Sequence, residues 1–426
     1  MEERIAPTQR VSGSICLPGD KSISHRYAML ASIAEGETKI HNYSTGADCH
    51  STLGCVRALG ITVDEQGSEV SIHGRGLNGL KLPTGDLDAG NSGSTIRMLS
   101  GILAAQRFSS RLVGDESLSR RPMDRIMKPL GEMGASISAR EGRFPPLEIR
   151  GAKLRAIDYT LPVPSAQVKT CILFAGLYAE GATVVREPVR SRDHTEIALR
   201  EFGAGIRVER RVISLDGRPR LIGRELLVPS DLSSAAFFIA AALLVHGSSL
   251  VLRGVGLNPT RSTLLDVLVA MGASIAILNV EQHNGELVGE IQVTSSRLQG
   301  GTIEKETTAA LIDEIPVLAV LGAASDEGLT VRDATELRIK ETDRITTVAE
   351  NLRRMGVQAE ELPDGIHIPG RQRFRAAKLD SFGDHRIAMA FSIAALVADG
   401  PCEIHGAEAA AVSFPEFFQV LRQVTA

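Results

Sequence analysis

Five short segments of this 426-residue chain share one pattern: a large apolar residue, a glycine, then apolar and polar residues in alternation. They recur at intervals of roughly 70 residues. The segments are Leu59-Gly60-Ile61, Met133-Gly134-Ala135, Phe202-Gly203-Ala204, Met271-Gly272-Ala273 and Met355-Gly356-Val357. Each reads as a helix that ends at a glycine cap and runs into a strand hairpin. The alternation is clearest over residues 62–73, 136–150 and 357–368. A second series interleaves with the first, in which turns near Gly19, Gly90, Pro164, Pro229, Asp313 and Gly383 open Ala-, Leu- and Met-rich helices. Six units of about 70 residues result. Each supplies strands and at least one helix, so the expected class is α/β (α+β) with helix-covered sheets, three units in each of two domains and a crossing near residues 221–227.

Composition narrows the function. Apolar residues make up 43% of the chain, ample for two cores. The longest uncharged apolar runs, 235–245 and 387–398, fall short of the roughly 18 residues of a membrane span and read as buried helices. Met1-Glu2-Glu3-Arg4 resembles neither a signal core nor a transit segment, so a cytoplasmic protein is expected, with no membrane association. The five cysteines, Cys16, Cys49, Cys55, Cys171 and Cys402, form no Cys-x-x-Cys pair, which suggests inert thiols rather than a disulfide framework or a metal site. A net charge of −4 without a long basic run argues against nucleic acid, and 4% aromatics with no tryptophan argues against base-stacking platforms.

In an acidic protein, an anionic ligand must be met locally, and a helix N-terminus offers backbone N–H groups and the positive end of a dipole. The residues at the repeated helix starts fit that use. Leu17-Pro18-Gly19-Asp20-Lys21-Ser22-Ile23-Ser24-His25-Arg26 places Lys21, Ser22 and Arg26 on opening turns, where cations oppose the dipole unless an anion is bound. Gly90-Asn91-Ser92-Gly93-Ser94-Thr95-Ile96-Arg97 has glycines that allow close backbone approach and hydroxyls that cap. In Ser119-Arg120-Arg121-Pro122-Met123 the proline fixes the turn, making Arg121 a candidate clamp for carboxylate or phosphate. Pro164-Ser165-Ala166-Gln167 offers a hydroxyl, amides and a side-chain amide, and Ser191-Arg192-Asp193-His194 another basic group. Ile312-Asp313-Glu314-Ile315-Pro316 reads as two carboxylates inside an apolar helix, costly unless partnered and therefore candidates for acid/base work. Leu337-Arg338-Ile339-Lys340-Glu341-Thr342-Asp343-Arg344 taken alone reads as a solvated charge ladder. Gly383-Asp384-His385-Arg386 puts Arg386 where a phosphate would sit.

Leu-Pro-Gly-Asp-Lys-Ser-Ile-Ser-His-Arg, Gly-Asn-Ser-Gly-Ser-Thr-x-Arg, Arg-Arg-Pro-Met, Arg-Ile-Lys-Glu-Thr-Asp-Arg and Gly-Asp-His-Arg-Ile-Ala-Met, in this order across the whole chain, resemble the motifs of 5-enolpyruvylshikimate-3-phosphate synthases. The resemblance implies two domains of three βαβαββ units each, closing like a clamp so that helix N-termini face an interdomain cleft. It assigns residues 13–224 to one domain, mainly for shikimate 3-phosphate, and 1–12 plus 225–426 to the other, with the catalytic carboxylates and phosphoenolpyruvate binding. It implies a metal-free, cofactor-free reaction in which the shikimate 5-hydroxyl adds to C2 of phosphoenolpyruvate, C3 is protonated, and the tetrahedral ketal loses phosphate. Ser22, Arg26, Ser165, Gln167, Asp313 and Lys340 would hold shikimate 3-phosphate, with Arg192 and the Ala166 amide at its phosphate. Lys21, Gly93, Arg121, Arg344 and Arg386 would grip phosphoenolpyruvate, with Gln167 able to touch both. Asp313 and Glu341 are the implied proton-transfer carboxylates, with Lys21 sharing that work. A monomer is expected.

The departures have a pattern. The better-known class of the family has Lys before Thr-Phe-Pro near its C-terminus, whereas Val412 precedes Ser413-Phe414-Pro415 here, which removes one phosphoenolpyruvate contact. Ser165-Ala166-Gln167-Val168-Lys169, Arg192-Asp193-His194-Thr195-Glu196 and Asn258-Pro259-Thr260-Arg261 instead resemble the second class, which includes members tolerant of the inhibitor glyphosate. Some of those carry Ala where Gly93 stands. The related transferases acting on UDP-N-acetylglucosamine carry a loop cysteine and a Lys-Asn opening; no cysteine lies between Cys55 and Cys171, and Lys21 is followed by Ser22. Gly74-Arg75-Gly76-Leu77-Asn78-Gly79 has dinucleotide-type spacing but no helix start behind it, so it reads as a turn. A non-catalytic repeat scaffold would need neither cations at helix starts nor Asp313.

Overall fold

A computed structural model of the chain describes residues 1–425. Among the described residues one module recurs six times, the last without its closing hairpin. Strand Leu87–Asp88, helix Gly93–Leu103, strand Ser109–Val113, helix Asp124–Met133 and the hairpin Ser136–Arg140 with Phe144–Arg150 make one βαβαββ unit. Asp158–Thr160 through Val212–Asp216 repeats it. Five of the six sheets have four strands: one parallel pair, then two antiparallel neighbours. The sixth has three, where Lys378–Asp380 runs parallel to Cys402–His405 and the N-terminal strand Glu2–Ile5 closes the edge antiparallel.

The chain divides into two compact units, each with its own apolar core. One, here the N-terminal unit, holds Gly19–Val228 and Gln282–Glu286. The C-terminal unit holds Met1–Pro18, Pro229–Glu281 and the chain from Leu287 onward. These divisions lie a few residues beyond the 12/13 and 224/225 bounds set from sequence, for a reason of pairing. Strand Ser12–Cys16 runs parallel to Ser249–Gly256 in the C-terminal unit, and Glu225–Leu227 runs parallel to Glu35–His41 in the N-terminal unit. The first and fourth modules have thus exchanged their opening strands.

Local chemistry explains the repeat. Gly60, Gly134, Gly203, Gly272 and Gly356 all follow helices with positive φ, from 76° at Gly356 to 108° at Gly134, a region where a Cβ is strained. The opening helices of five modules are capped by short polar side chains: Asp20 accepts from Ile23 N at 2.9 Å, Ser92 from Thr95 N at 3.0 Å, Ser165 from Val168 N at 3.4 Å, Asp231 from Ser233 N at 2.9 Å and Asp384 from Arg386 N at 2.9 Å. The apolar runs form buried helices Leu232–Leu244 and His385–Ala395. Among the described residues no single helix is long and apolar enough to cross a membrane.

Two expectations need correction. Asp313 and Glu314 are not inside a helix: Lys305–Leu311 ends before them and Ile315–Ala324 begins after them, the two axes meeting at 111°. Pro316 sits in the first turn of the second helix, where its missing N–H costs nothing, and its ring disfavours a helix running through from the residues before it. Residues 337–344 are not a solvated ladder either. A 3-10 turn, Thr335–Ile339, is followed by an irregular bend, and Arg344 opens the next helix, Arg344–Arg354, with 1% of its side chain exposed.

Candidate active site

Lys21, Gly93, Ala166 and Arg344 are the first residues of their helices and Arg386 is the second of its own. Three cationic side chains and two stretches of amide-rich backbone therefore stand where the dipole favours anions.

In the N-terminal unit, Lys21 Nζ lies 3.0 Å from Asp48 Oδ2. One turn on, Arg26 is buried. Its Nε donates to Thr195 Oγ1 at 2.7 Å, Nη2 to Thr170 Oγ1 at 3.0 Å and Nη1 to the carbonyl of Ser22 at 2.7 Å. Burial pushes its pKa down to about 10; Glu196 and Asp20 work against that shift, while Arg192 adds to it. Arg192 itself is half-buried in the loop before helix His194–Glu201. His25 Nδ1 meets Thr52 Oγ1 at 2.7 Å, and Thr52, Thr95 and Ser92 continue as a chain of hydroxyls at 2.7 and 2.8 Å. That chain ties the Lys21–Ser32 and Gly93–Leu103 helix starts through Ala47–Ala58.

Gln167 is held at both ends, its Oε1 accepting from Arg97 Nη1 at 2.8 Å and its Nε2 donating to Ser94 Oγ at 3.0 Å. Arg121 is buried and donates through Nη2 to Asn91 Oδ1 at 2.7 Å and Ser117 Oγ at 3.0 Å. A Cβ on Gly93 would fall 2.8 Å from Arg97 Nη1 and 3.6 Å from Arg121 Nη1, so this glycine keeps backbone open beside two guanidinium groups. Ser22, Ser165 and Ala166 stand half-exposed at their helix starts.

In the C-terminal unit the remaining candidates meet on two carboxylates. Asp313 Oδ1 lies 3.3 Å from Lys340 Nζ and 3.5 Å from Arg344 Nη1, and its carbonyl accepts from Arg386 Nη1 at 2.7 Å. Arg344 Nη2 donates to Glu341 Oε2 at 2.6 Å, and its Nε lies 2.8 Å from Asp384 Oδ2. Burial favours the neutral forms of Arg344 and Asp384, but their attraction prevails, raising the guanidinium pKa and lowering that of the carboxyl. Arg386 Nη1 is also 3.5 Å from buried Glu314 Oε1, which accepts from Ser233 Oγ, while Arg261 Nη2 lies 3.9 Å away.

The sequence-derived candidates thus fall into two groups. Lys21, Ser22, Arg26, Gly93, Arg121, Ser165, Ala166, Gln167 and Arg192 lie in the N-terminal unit, and Asp313, Lys340, Glu341, Arg344 and Arg386 in the C-terminal unit. Reasoning from sequence missed the groups that orient them. Arg97, Thr170, Thr195 and Asp384 contact candidates directly, yet only a place inside the motif strings marks Arg97, Thr195 and Asp384, and nothing marks Thr170. Of the cysteines, Cys16 is exposed and the other four are buried, with burial raising the thiol pKa of Cys49, Cys55, Cys171 and Cys402. Val412 ends a 3-10 turn, Ala407–Val412.

Residues 5–421 match the model of the family described as EPSP synthase (3-phosphoshikimate 1-carboxyvinyltransferase). The chain belongs to the EPSP synthase family. A 3-phosphoshikimate 1-carboxyvinyltransferase of Solibacter usitatus (strain Ellin6076) is 72% identical over 424 residues, covering 100% of both chains. One of Koribacter versatilis (strain Ellin345) is 52% identical over 422 residues, 99% of this chain and 98% of the relative. Among solved structures, EPSP synthase from Acinetobacter baumannii superposes with a TM-score of 0.89 at 42% identity, covering 100% of this chain and 98% of that one. The fold is that of the two-domain enolpyruvyl transferases, and EPSP synthase family membership accounts for the order in which the anion-directed helix starts occur.

Proposed function

We propose that this protein transfers the enolpyruvyl (1-carboxyvinyl) group of phosphoenolpyruvate to the 5-hydroxyl of shikimate 3-phosphate and releases phosphate, a step of the shikimate pathway to aromatic amino acids. The observation that carries this reading is the 72% identity, over the full length of both chains, with a relative named for that reaction.

In this reading, Ser22, Arg26, Ser165, Gln167, Asp313 and Lys340 bind shikimate 3-phosphate, and Arg192 with the Ala166 amide meets its phosphate. Lys21, Gly93, Arg121, Arg344 and Arg386 bind phosphoenolpyruvate, with Gln167 reaching both. Each of the two substrates carries a carboxylate and a phosphate. Their mutual repulsion opposes C–O bond formation, and fixed cations offset it. The 5-hydroxyl oxygen bonds to C2 and gives up its proton, while the C2–C3 double bond takes up a proton at C3. The ketal then loses its C2–O bond to phosphate and a proton from C3, restoring the vinyl group. Asp313 and Glu341 exchange these protons, with Lys21 contributing. Their setting beside Lys340, Arg344 and Arg386 supports that role by holding both carboxylates in place among the cations assigned to the substrates. The protein works as a cytoplasmic monomer.

The test is phosphate release from phosphoenolpyruvate with shikimate 3-phosphate as acceptor, beside a control with UDP-N-acetylglucosamine. Turnover with the UDP-sugar alone would refute the reading, and turnover with neither would favour a non-catalytic scaffold.

A further inference from the structure

Three ionisable side chains lie beneath the helix starts of the N-terminal unit, and the proposed reaction has no direct use for them. Lys169 is completely buried on the Ala166–Gly176 helix, with Nζ 2.7 Å from Glu196 Oε1 and 3.2 Å from Glu187 Oε1, and both glutamate side chains are 3% exposed. Removing Lys169 leaves two carboxylates facing each other in the core without their shared cation, so the lysine holds both glutamates in one geometry.

The three members lead to two candidate groups, Arg192 and Arg26. Glu187 follows strand Ala182–Arg186 and accepts hydrogen bonds from the Ser191 amide at 3.2 Å and from the Ser191 hydroxyl, folding the segment 188–193 back onto itself next to Arg192. Arg211 Nη1 pins the near end of that segment through the Pro188 carbonyl. Glu196 stands in the first turn of helix His194–Glu201 beside Thr195, and Thr170 is the neighbour of Lys169. The two threonine hydroxyls lie 2.5 Å apart and both accept from Arg26. The Lys169 amide donates to the Ser165 carbonyl at 3.0 Å.

We infer that the buried Lys169–Glu187–Glu196 triad is a positioning device for shikimate 3-phosphate: through Ser191 it fixes Arg192, and through Thr170 and Thr195 it fixes Arg26. The inference rests on the assignment of Arg192 and Arg26 to that substrate. It has a physical basis in the entropy of long side chains. A loop arginine loses much of its rotamer freedom when it binds, and a loop already tied to a buried carboxylate has less left to lose.

The experiment is a double-mutant cycle on Ser191 and Arg192 in the full-length protein, reading KM for each substrate and kcat. Ser191→Ala leaves the triad whole and removes only its hydroxyl link. It is expected to raise KM for shikimate 3-phosphate about 3- to 10-fold, with KM for phosphoenolpyruvate and kcat within about 2-fold, and Ser191→Thr restores the wild-type value. Arg192→Ala raises the same KM at least as far, and adding Ser191→Ala to it changes little more, because the serine acts through the arginine. A wild-type KM in Ser191→Ala, or full additivity with Arg192→Ala, overturns the inference and leaves the assignment of Arg192 standing. A wild-type KM in Arg192→Ala overturns both. Lys169→Met probes the triad itself: if it folds, a wild-type KM for shikimate 3-phosphate overturns the inference, and a selective rise supports it.

Discussion

Arg344 and Asp384 face each other with Nε 2.8 Å from Oδ2 and Nη2 3.2 Å from Oδ1, a two-point contact between side chains that are 1% and 0% exposed. The same carboxylate caps helix His385–Ala395 by accepting from the Arg386 amide. One aspartate therefore sets two of the arginines assigned to phosphoenolpyruvate. Asp384→Ala removes the fully buried partner of Arg344 and leaves it only the more exposed Glu341 and Asp313, and a loss of about 3–5 kcal/mol in unfolding free energy is expected from urea titration. A loss below about 1 kcal/mol would mean that Arg344 finds another partner.

Lys21→Ala or Arg386→Ala removes a cation from the start of its helix. Each is expected to lower kcat/KM by the equivalent of roughly 2–5 kcal/mol while the protein stays folded. Steady-state kinetics with both substrates checks this, and an unchanged kcat/KM would remove that residue from the site.

Asp313→Asn and Glu341→Gln preserve shape and abolish the carboxylate. The expected result is a fall in kcat of about 10²- to 10⁴-fold with the unfolding midpoint nearly unchanged. Near-normal kcat in both would transfer the proton steps to other groups.

His25 gives a pH signature. Burial first, then Lys21 and Arg26, hold its pKa well below the usual 6.5, although Asp20 pulls the other way. Above the unfolded value both states are neutral, and the contribution of this ring to stability is complete. Below about pH 6.5 the unfolded chain binds a proton that the folded one does not, so stability falls by up to about 1.4 kcal/mol per pH unit until the folded pKa is reached. His25→Asn should lose stability less steeply over that window. Parallel urea midpoints for the two proteins across it would show that the ring does not titrate in this way.

Gly101→Ala tests the packing under the site. A Cβ there would lie 2.2 Å from the Cys171 carbonyl oxygen, so helices Gly93–Leu103 and Ala166–Gly176 touch backbone to backbone. Forcing them apart is expected to cost about 1–3 kcal/mol, measured as a lower Tm.

The sixfold module was legible because its punctuation is local: a glycine at positive φ after a helix, and Asp or Ser before the next, act within a few residues. The candidate side chains were legible for the same reason, since a cation at a helix start is conspicuous without its surroundings. Asp313 and Glu314 were misplaced into a helix because apolar residues flank them on both sides. The decisive signal was Pro316, which marks a helix start rather than an interior position. Arg344 looked solvated because its partner Asp384 lies 40 residues away. The Lys169–Glu187–Glu196 triad draws on three separate elements, and pairing of that kind has no periodicity to betray it. The exchange of opening strands was equally hidden, as Ser12–Cys16 and Glu225–Leu227 each resemble the strand that their own module would need.

Pairing of Ser12 with Ser249 has a temporal consequence for a cell making this protein. At about 5–20 residues per second, the first of these strands leaves the ribosome on the order of ten seconds to a minute before its partner exists. During that wait Ser12–Cys16 is an unclaimed edge, and a nascent chain stalled in the interval would carry it exposed to whatever strand it met first.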